Sequence, residues 1–156
     1  MKTRALVILV AVLSAACGPL LSPASTPSAA SVSSRATVAV ATSAKLGKHL
    51  VDGKQMTLYI FDRDPSSTPT CYDACAKFWP PLLTTGAPIA GPGVNPTFLG
   101  TTTRKDGTHQ VTYAAHPLYY VVTDHNPGDV TGQEVDNFGA PWFVIGPDGN
   151  KIGGHA

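Results

Sequence analysis

The chain has 156 residues and a formal charge of +1, so it offers no net field to draw in nucleic acid or an acidic substrate. Charged residues make up 13%, about half the ~25% of an ordinary globular protein. With 15 Gly and 14 Pro, the composition excludes a long-helix or coiled-coil protein and favours short strands joined by turns.

The N-terminus reads as an address. Lys2 and Arg4 precede an apolar run over 5–13, too short to span a ~30 Å hydrocarbon core but suited to a signal peptide. Small residues then lead to Cys17. This arrangement resembles a bacterial lipobox, in which the Cys thiol takes a diacylglyceryl group and becomes the mature N-terminus. Ser14 stands where lipoboxes usually carry Leu, and the Leu lies one residue earlier. The expected segments are a lipoprotein signal peptide over 1–16 and a membrane anchor at Cys17. Ordinary cleaved secretion and an uncleaved anchor are the alternatives.

Residues 17–44 are dominated by Ser, Ala, Thr and Pro and hold no acidic or aromatic residue. Such a segment buries too little apolar surface to offset its chain entropy. It is expected to be a disordered tether, spanning about 30 Å as a coil. Within it, 38–40 is the stretch that could pair, as an edge strand.

Residues 45–156 differ. All ten acidic residues, both Trp, all five Tyr and all five Phe lie here, enough for one core. The expected fold is mainly β, a small α+β domain of two duplicated strand–loop repeats built from hairpins with one short helix. Asp52-Gly53, Asp106-Gly107 and Asp148-Gly149 supply hairpin turns. They join 49–51 to 55–61, 99–104 to 108–114, and 142–145 to 151–152, with a further strand over 118–123. The helix is expected over 72–78 and stops at Trp79-Pro80-Pro81, since a residue before Pro avoids helical geometry. Repeat one covers about 46–83 and repeat two about 98–152. The Gly/Pro-rich stretch 84–97 links them.

The repeat is visible in register. Leu58-Tyr59 and Leu118-Tyr119 are each followed by four residues and then Asp64 or Asp124, a Pro-containing loop, and Trp79 or Trp142. Tyr59, Phe61 and Asp64, with Tyr119 and Asp124, resemble the Tyr-x-[Phe/Trp/Tyr]-x-x-Asp motif of bacterial lipoproteins with a secreted repeat of unknown function. Val121 departs from the aromatic position. The resemblance extends to Cys71-x3-Cys75 before Trp79-Pro80-Pro81, to His116-Pro117-Leu118-Tyr119-Tyr120, and to Pro141-Trp142-Phe143. It implies an exported, lipid-anchored protein and no known activity.

The residues themselves leave several chemistries open. Tyr59 and Tyr119 suit aromatic packing with a bonded hydroxyl, or a pair facing a ligand. Asp64 and Asp124 suit local caps on loop N–H groups. Alternatively, with Asp62, Asn126 and Asp129, they suit a Ca²⁺ site. Cys71 and Cys75 suit a disulfide in an exported chain, contributing about 2 kcal/mol by closing so small a loop. Two thiolates with a His would also suit Cu(I) or Zn²⁺. The five His show no zinc-enzyme spacing, and no Gly-x-Ser-x-Gly, His-Glu-x-x-His or phosphate-binding loop occurs. No catalytic residue and no resident cofactor is expected. The leading expectation is a monomeric, non-catalytic binding or structural module, anchored to the membrane by its lipid and facing out of the cytoplasm. Its partner would be an envelope protein or a glycan. A metal-handling or redox accessory using Cys71 and Cys75, and a small glycan-acting enzyme, are the alternatives.

Overall fold

The computed structural model describes residues 34–154. The signal segment, Cys17 and the tether up to residue 33 lie outside the described residues. The fold is mainly β, with three small sheets and one short helix.

β1 (Thr37–Ser43) and β2 (Gly47–Asp52) pair antiparallel, and β1 also pairs parallel with β4 (Ile89–Ala90). β1 is therefore the centre of its sheet. This corrects the expectation that the tether runs to residue 44, and 38–40, weighed as an edge strand, lies in a central one. Thr37-Val38-Ala39-Val40 is a strand-forming run hidden in a low-complexity composition, and Val38 is fully buried. The expected linker 84–97 is likewise stitched down. Ile89 N–H donates to Ala36, Gly91 N–H to Val38, and the Val40 N–H to Pro92. A single 3₁₀ turn at Pro96–Phe98 leads out of it.

The Asp-Gly steps turn the chain at the expected places. Val51 bridges Thr57 across the first. β5 (Leu99–Thr103) and β6 (His109–Tyr113) pair across the second, and Ile145 bridges Lys151 across the third. β7 (His116–Pro117) closes the β5–β6 sheet. The helix α1 is Ala74–Phe78, two residues shorter at its start than expected. Asp73 takes a left-handed φ of 51° there, so the helix cannot begin earlier.

The two repeats interleave. β3 (Tyr59–Phe61), from repeat one, pairs with β9 (Ala140–Val144), from repeat two, which also pairs with β8 (Asp136–Asn137). The matching strand of repeat two pairs with repeat one. Leu82 N–H donates to Leu118, Tyr120 N–H to Pro80 and Val122 N–H to Phe78. Pro80 and Pro81 have no N–H to return, so the expected strand over 118–123 is a one-sided ladder with a single bridged residue, Tyr119. Between the two systems, Tyr59 N–H donates to the Tyr119 carbonyl at 2.8 Å and Tyr119 N–H to the Tyr59 carbonyl at 2.9 Å.

Alternation along β3 serves two apolar clusters. Leu58 and Ile60 face one with Val38, Leu50, Leu118 and Ile145. Tyr59 and Phe61 face the other with Trp79, Tyr119, Val121 and Trp142. Both clusters draw on both repeats, so neither repeat holds a core of its own.

Candidate functional site

The family-motif residues converge on the second cluster. Trp79 and Trp142 stack with ring centroids 3.9 Å apart and planes 1° from parallel. Phe61 stacks on the other face of this pair at 4.1 Å from Trp142. Tyr59 meets Trp79 edge-on at 5.5 Å, and Tyr119 meets Trp142 edge-on at 5.1 Å. The two edge-on contacts are of the kind that the ring quadrupole favours. Val121 stands where Phe61 has its counterpart, and its buried side chain packs in the same cluster. Gly132 makes room beneath the rings: a Cβ there would lie 2.7 Å from Trp79 and 2.8 Å from Tyr59.

The hydroxyls of the two motif tyrosines cross between repeats. Tyr59 donates to Asp124 Oδ2 at 2.6 Å, and Tyr119 donates to Asp64 Oδ2 at 2.7 Å. The other oxygen of each carboxylate holds its own loop. Asp64 Oδ1 accepts from the Thr70 N–H and hydroxyl, both at 2.7 Å. Asp124 Oδ1 accepts from the Thr131 N–H at 2.9 Å and its hydroxyl at 2.7 Å. Both carboxylates are buried. Burial, with the facing carboxylate, holds the Tyr59 and Tyr119 hydroxyls far above the ordinary phenol range. Burial also raises the Asp64 carboxyl above its usual value, against the pull of Thr70, Tyr119 and Arg104.

The capping of loop N–H groups was legible in the sequence. The exchange of hydroxyls between repeats was not. Nor was a third pair of this kind, Tyr120 donating to Asp52 Oδ2 at 2.9 Å. The buried Arg104 was also missed. Its Nη1 donates to Gln110 Oε1 at 2.6 Å and its Nη2 to the Cys71 carbonyl at 2.7 Å, while Gln110 Nε2 donates to the Leu118 carbonyl. The only sequence signal was a basic residue next to an Asp-Gly turn.

Cys71 and Cys75 are joined by a disulfide, with Cα atoms 5.2 Å apart. Of the residues weighed for Ca²⁺, Asp62 pairs with Lys151 at 2.8 Å, and Asp129 accepts from the His125 and Asn126 N–H groups. Among the described residues no three His, Cys, Asp or Glu side chains come together as a metal site. His49 is buried, with Nδ1 donating to the Gly47 carbonyl at 3.1 Å.

Beside the disulfide a cleft of about 250 Å³ opens to solvent. Phe61, Arg63, Tyr72, Asp73, Cys75 and Phe138 line it. Tyr72 is held from behind by the Arg104 guanidinium, 4.4 Å from its ring centre. The Lys105 ammonium also sits over that ring, 4.8 Å from its centre. The cleft thus combines aromatic walls with the Arg63 guanidinium and the Asp73 carboxylate.

Two interleaved strand–loop repeats, tied by reciprocal Tyr–Asp bonds, define a duplicated β-rich module. A family model described as a secreted repeat of unknown function matches residues 40–83 and 100–145, more than half of the chain. The chain belongs to that family, whose description points to an exported protein. No curated protein and no solved structure matches it. Among the described residues, no helix is long and apolar enough to cross a membrane.

Proposed function

We propose that this chain is an exported module held at the membrane by lipid on Cys17, and that its domain binds or scaffolds rather than catalyses. The observation that carries the non-catalytic reading is the reciprocal pair of Tyr–Asp bonds. The motif's hydroxyls and carboxylates are buried and committed to one another, so none is presented to a substrate. A catalytic acid or base must come within hydrogen-bond reach of the group it serves. The thiols that a copper or zinc reading requires are likewise joined to each other. The anchor reading rests on the apolar run over 5–13 followed by small residues and Cys17. One acyl chain binds a membrane only marginally, whereas a diacylglyceryl group supplies two.

Replacing Cys17 by Ser and fractionating cells tests the anchor. The wild-type chain is expected in the membrane fraction and Cys17→Ser in the soluble fraction. A variant that stays with the membrane and is processed like the wild type would overturn it.

A further inference from the structure

We propose that the cleft beside the disulfide binds a small zwitterion, a free α-amino acid, with its carboxylate on Arg63, its ammonium on Asp73 and its side chain against Tyr72 and Phe138. The inference rests on the binding-module reading above and gives it a ligand class.

The duplication repeats the Tyr–Asp clasp but not the cleft beside the disulfide. The clasp is duplicated down to the bonds on Thr70 and Thr131. The cleft is not. The residue matching Phe61 is Val121, and the one matching Arg63 is Thr123. Thr123 and Thr131 join hydroxyl to hydroxyl in repeat two, where repeat one has the open cleft between Arg63 and the disulfide loop.

The acid at its rim makes the same contrast. Asp73 and Glu134 stand three residues after Thr70 and Thr131, and both adopt left-handed backbone, with φ of 51° and 59°. In repeat two the carboxylate is used, Glu134 Oε1 accepting from the Gly154 N–H at 2.9 Å. The Asp73 carboxylate accepts from no described residue and is exposed. Both repeats thus hold an acid at a costly positive φ, but only repeat one leaves it free at the cleft.

The overhang belongs to repeat two alone. Its Thr-to-Trp spacing is two residues longer than that of repeat one, and it holds the β8–β9 turn where repeat one has α1. Phe138 (φ 56°) and Gly139 (φ 95°) make that turn, and it leaves the Phe138 ring 39% exposed at the cleft rim. Arg63 Nη1 donates to the Phe138 carbonyl at 3.1 Å. A Cβ on Gly139 would lie 3.1 Å from the same Nη1, so glycine keeps open the seat the guanidinium occupies. The remaining guanidinium N–H groups have no partner among the described residues.

Arg63 and Asp73 thus share one cleft without forming an ion pair among the described residues. Two opposite, unpaired charges on aromatic walls match a ligand with both charges on one carbon and an apolar side chain. Guanidinium forks fit carboxylates, and an ammonium is favoured by a carboxylate. At about 250 Å³ the cleft lies below the ~300–1,000 Å³ of drug-sized pockets, which suits a single amino acid.

The test is calorimetric titration of the full chain in detergent with L- and D-phenylalanine and L- and D-alanine. Two half-ligands serve as controls, phenylethylamine without the carboxylate and phenylpropionate without the ammonium. Saturable binding of phenylalanine is expected, with Kd on the order of 0.1 mM for a ligand of this size. Each half-ligand should bind at least about tenfold more weakly. Arg63→Gln and Asp73→Asn should each cost about tenfold or more, with melting temperatures near that of the wild type because both side chains are exposed. Phe138→Ala, on the surface turn, should weaken phenylalanine more than alanine and serves if Arg63→Gln proves misfolded. No saturable binding of any of the four amino acids up to about 10 mM, half-ligands as good as the zwitterion, or folded variants that bind like the wild type would each overturn the site. Those failures leave the fractionation of Cys17→Ser unaffected, so the anchor reading stands or falls separately.

Discussion

Tyr59 gives its hydroxyl to Asp124, in the other repeat, and not to Asp64, the acid of its own motif. Tyr119 returns the exchange to Asp64. The repeated spacing within each copy therefore serves two different partners. The tyrosine ties one repeat to the other, while the aspartate also closes the Pro-containing loop that follows it.

Asp64 should tolerate Asn far better than Ala. Asn keeps an acceptor for the Thr70 N–H and hydroxyl. Ala leaves both without that acceptor and strands the fully buried Tyr119 hydroxyl. Asp64→Ala should cost about 2–3 kcal/mol and lower the melting temperature by on the order of 10 °C. Asp64→Asn should lose less than half as much. Thermal unfolding followed by circular dichroism reads both.

The same pair carries a pH signature. Burial raises the Asp64 carboxyl, so the folded state keeps its proton to higher pH than the unfolded chain does. Ionising Asp64 therefore costs stability. That cost is absent below the ordinary carboxylate value and is fully present above the raised one. Asn stays neutral throughout. The stability of Asp64→Asn relative to wild type should thus improve as pH rises from about 4 to about 7. A difference that is flat, or that worsens over that range, would contradict the assignment.

Gly132→Ala places a methyl against the stacked rings, where a Cβ would sit within 2.8 Å of both Trp79 and Tyr59. Neither ring can yield without disturbing the Trp79–Trp142 stack. Overpacking of this kind costs about 1–3 kcal/mol, so denaturant midpoints should fall, with a perturbed near-ultraviolet signal from the two Trp residues.

Reduction of the disulfide should loosen the domain without unfolding it. The loop closed by Cys71 and Cys75 is short, worth about 2 kcal/mol in the chain-entropy model. Arg104 and Asp64 hold the same segment independently, through the Cys71 carbonyl and Thr70. Cys71→Ser with Cys75→Ser should melt on the order of 10 °C lower while keeping the wild-type far-ultraviolet spectrum.

What was legible in the sequence was local. Asp-Gly steps fix turns through backbone preference, and the Tyr and Asp registers are visible because a duplication preserves spacing. What was hidden was the choice between equivalent partners. Tyr59 has an aspartate of matching chemistry in each repeat, and spacing alone does not say which it meets. The interleaving of β3 with β9 decides it. The strand β1 was hidden for a different reason. Its Thr-Val-Ala-Val run lies in a tract whose Ser, Ala and Pro content signals a coil, and its partner β4 lies in an apparent linker. The cleft was hidden because it depends on differences between the copies, Phe61 and Arg63 against Val121 and Thr123, which a search for likeness passes over.

The claim that the motif is a clasp between repeats is tested most directly by double-mutant cycles on Tyr→Phe and Asp→Asn. Each Tyr→Phe should destabilise by about 1–2 kcal/mol and each Asp→Asn by about 1 kcal/mol or less. Tyr59 with Asp124, and Tyr119 with Asp64, should show coupling on the order of 1 kcal/mol. Tyr59 with Asp64, and Tyr119 with Asp124, should add to within about 0.5 kcal/mol. Coupling concentrated in the same-repeat pairs, or absent from all four, would contradict the account.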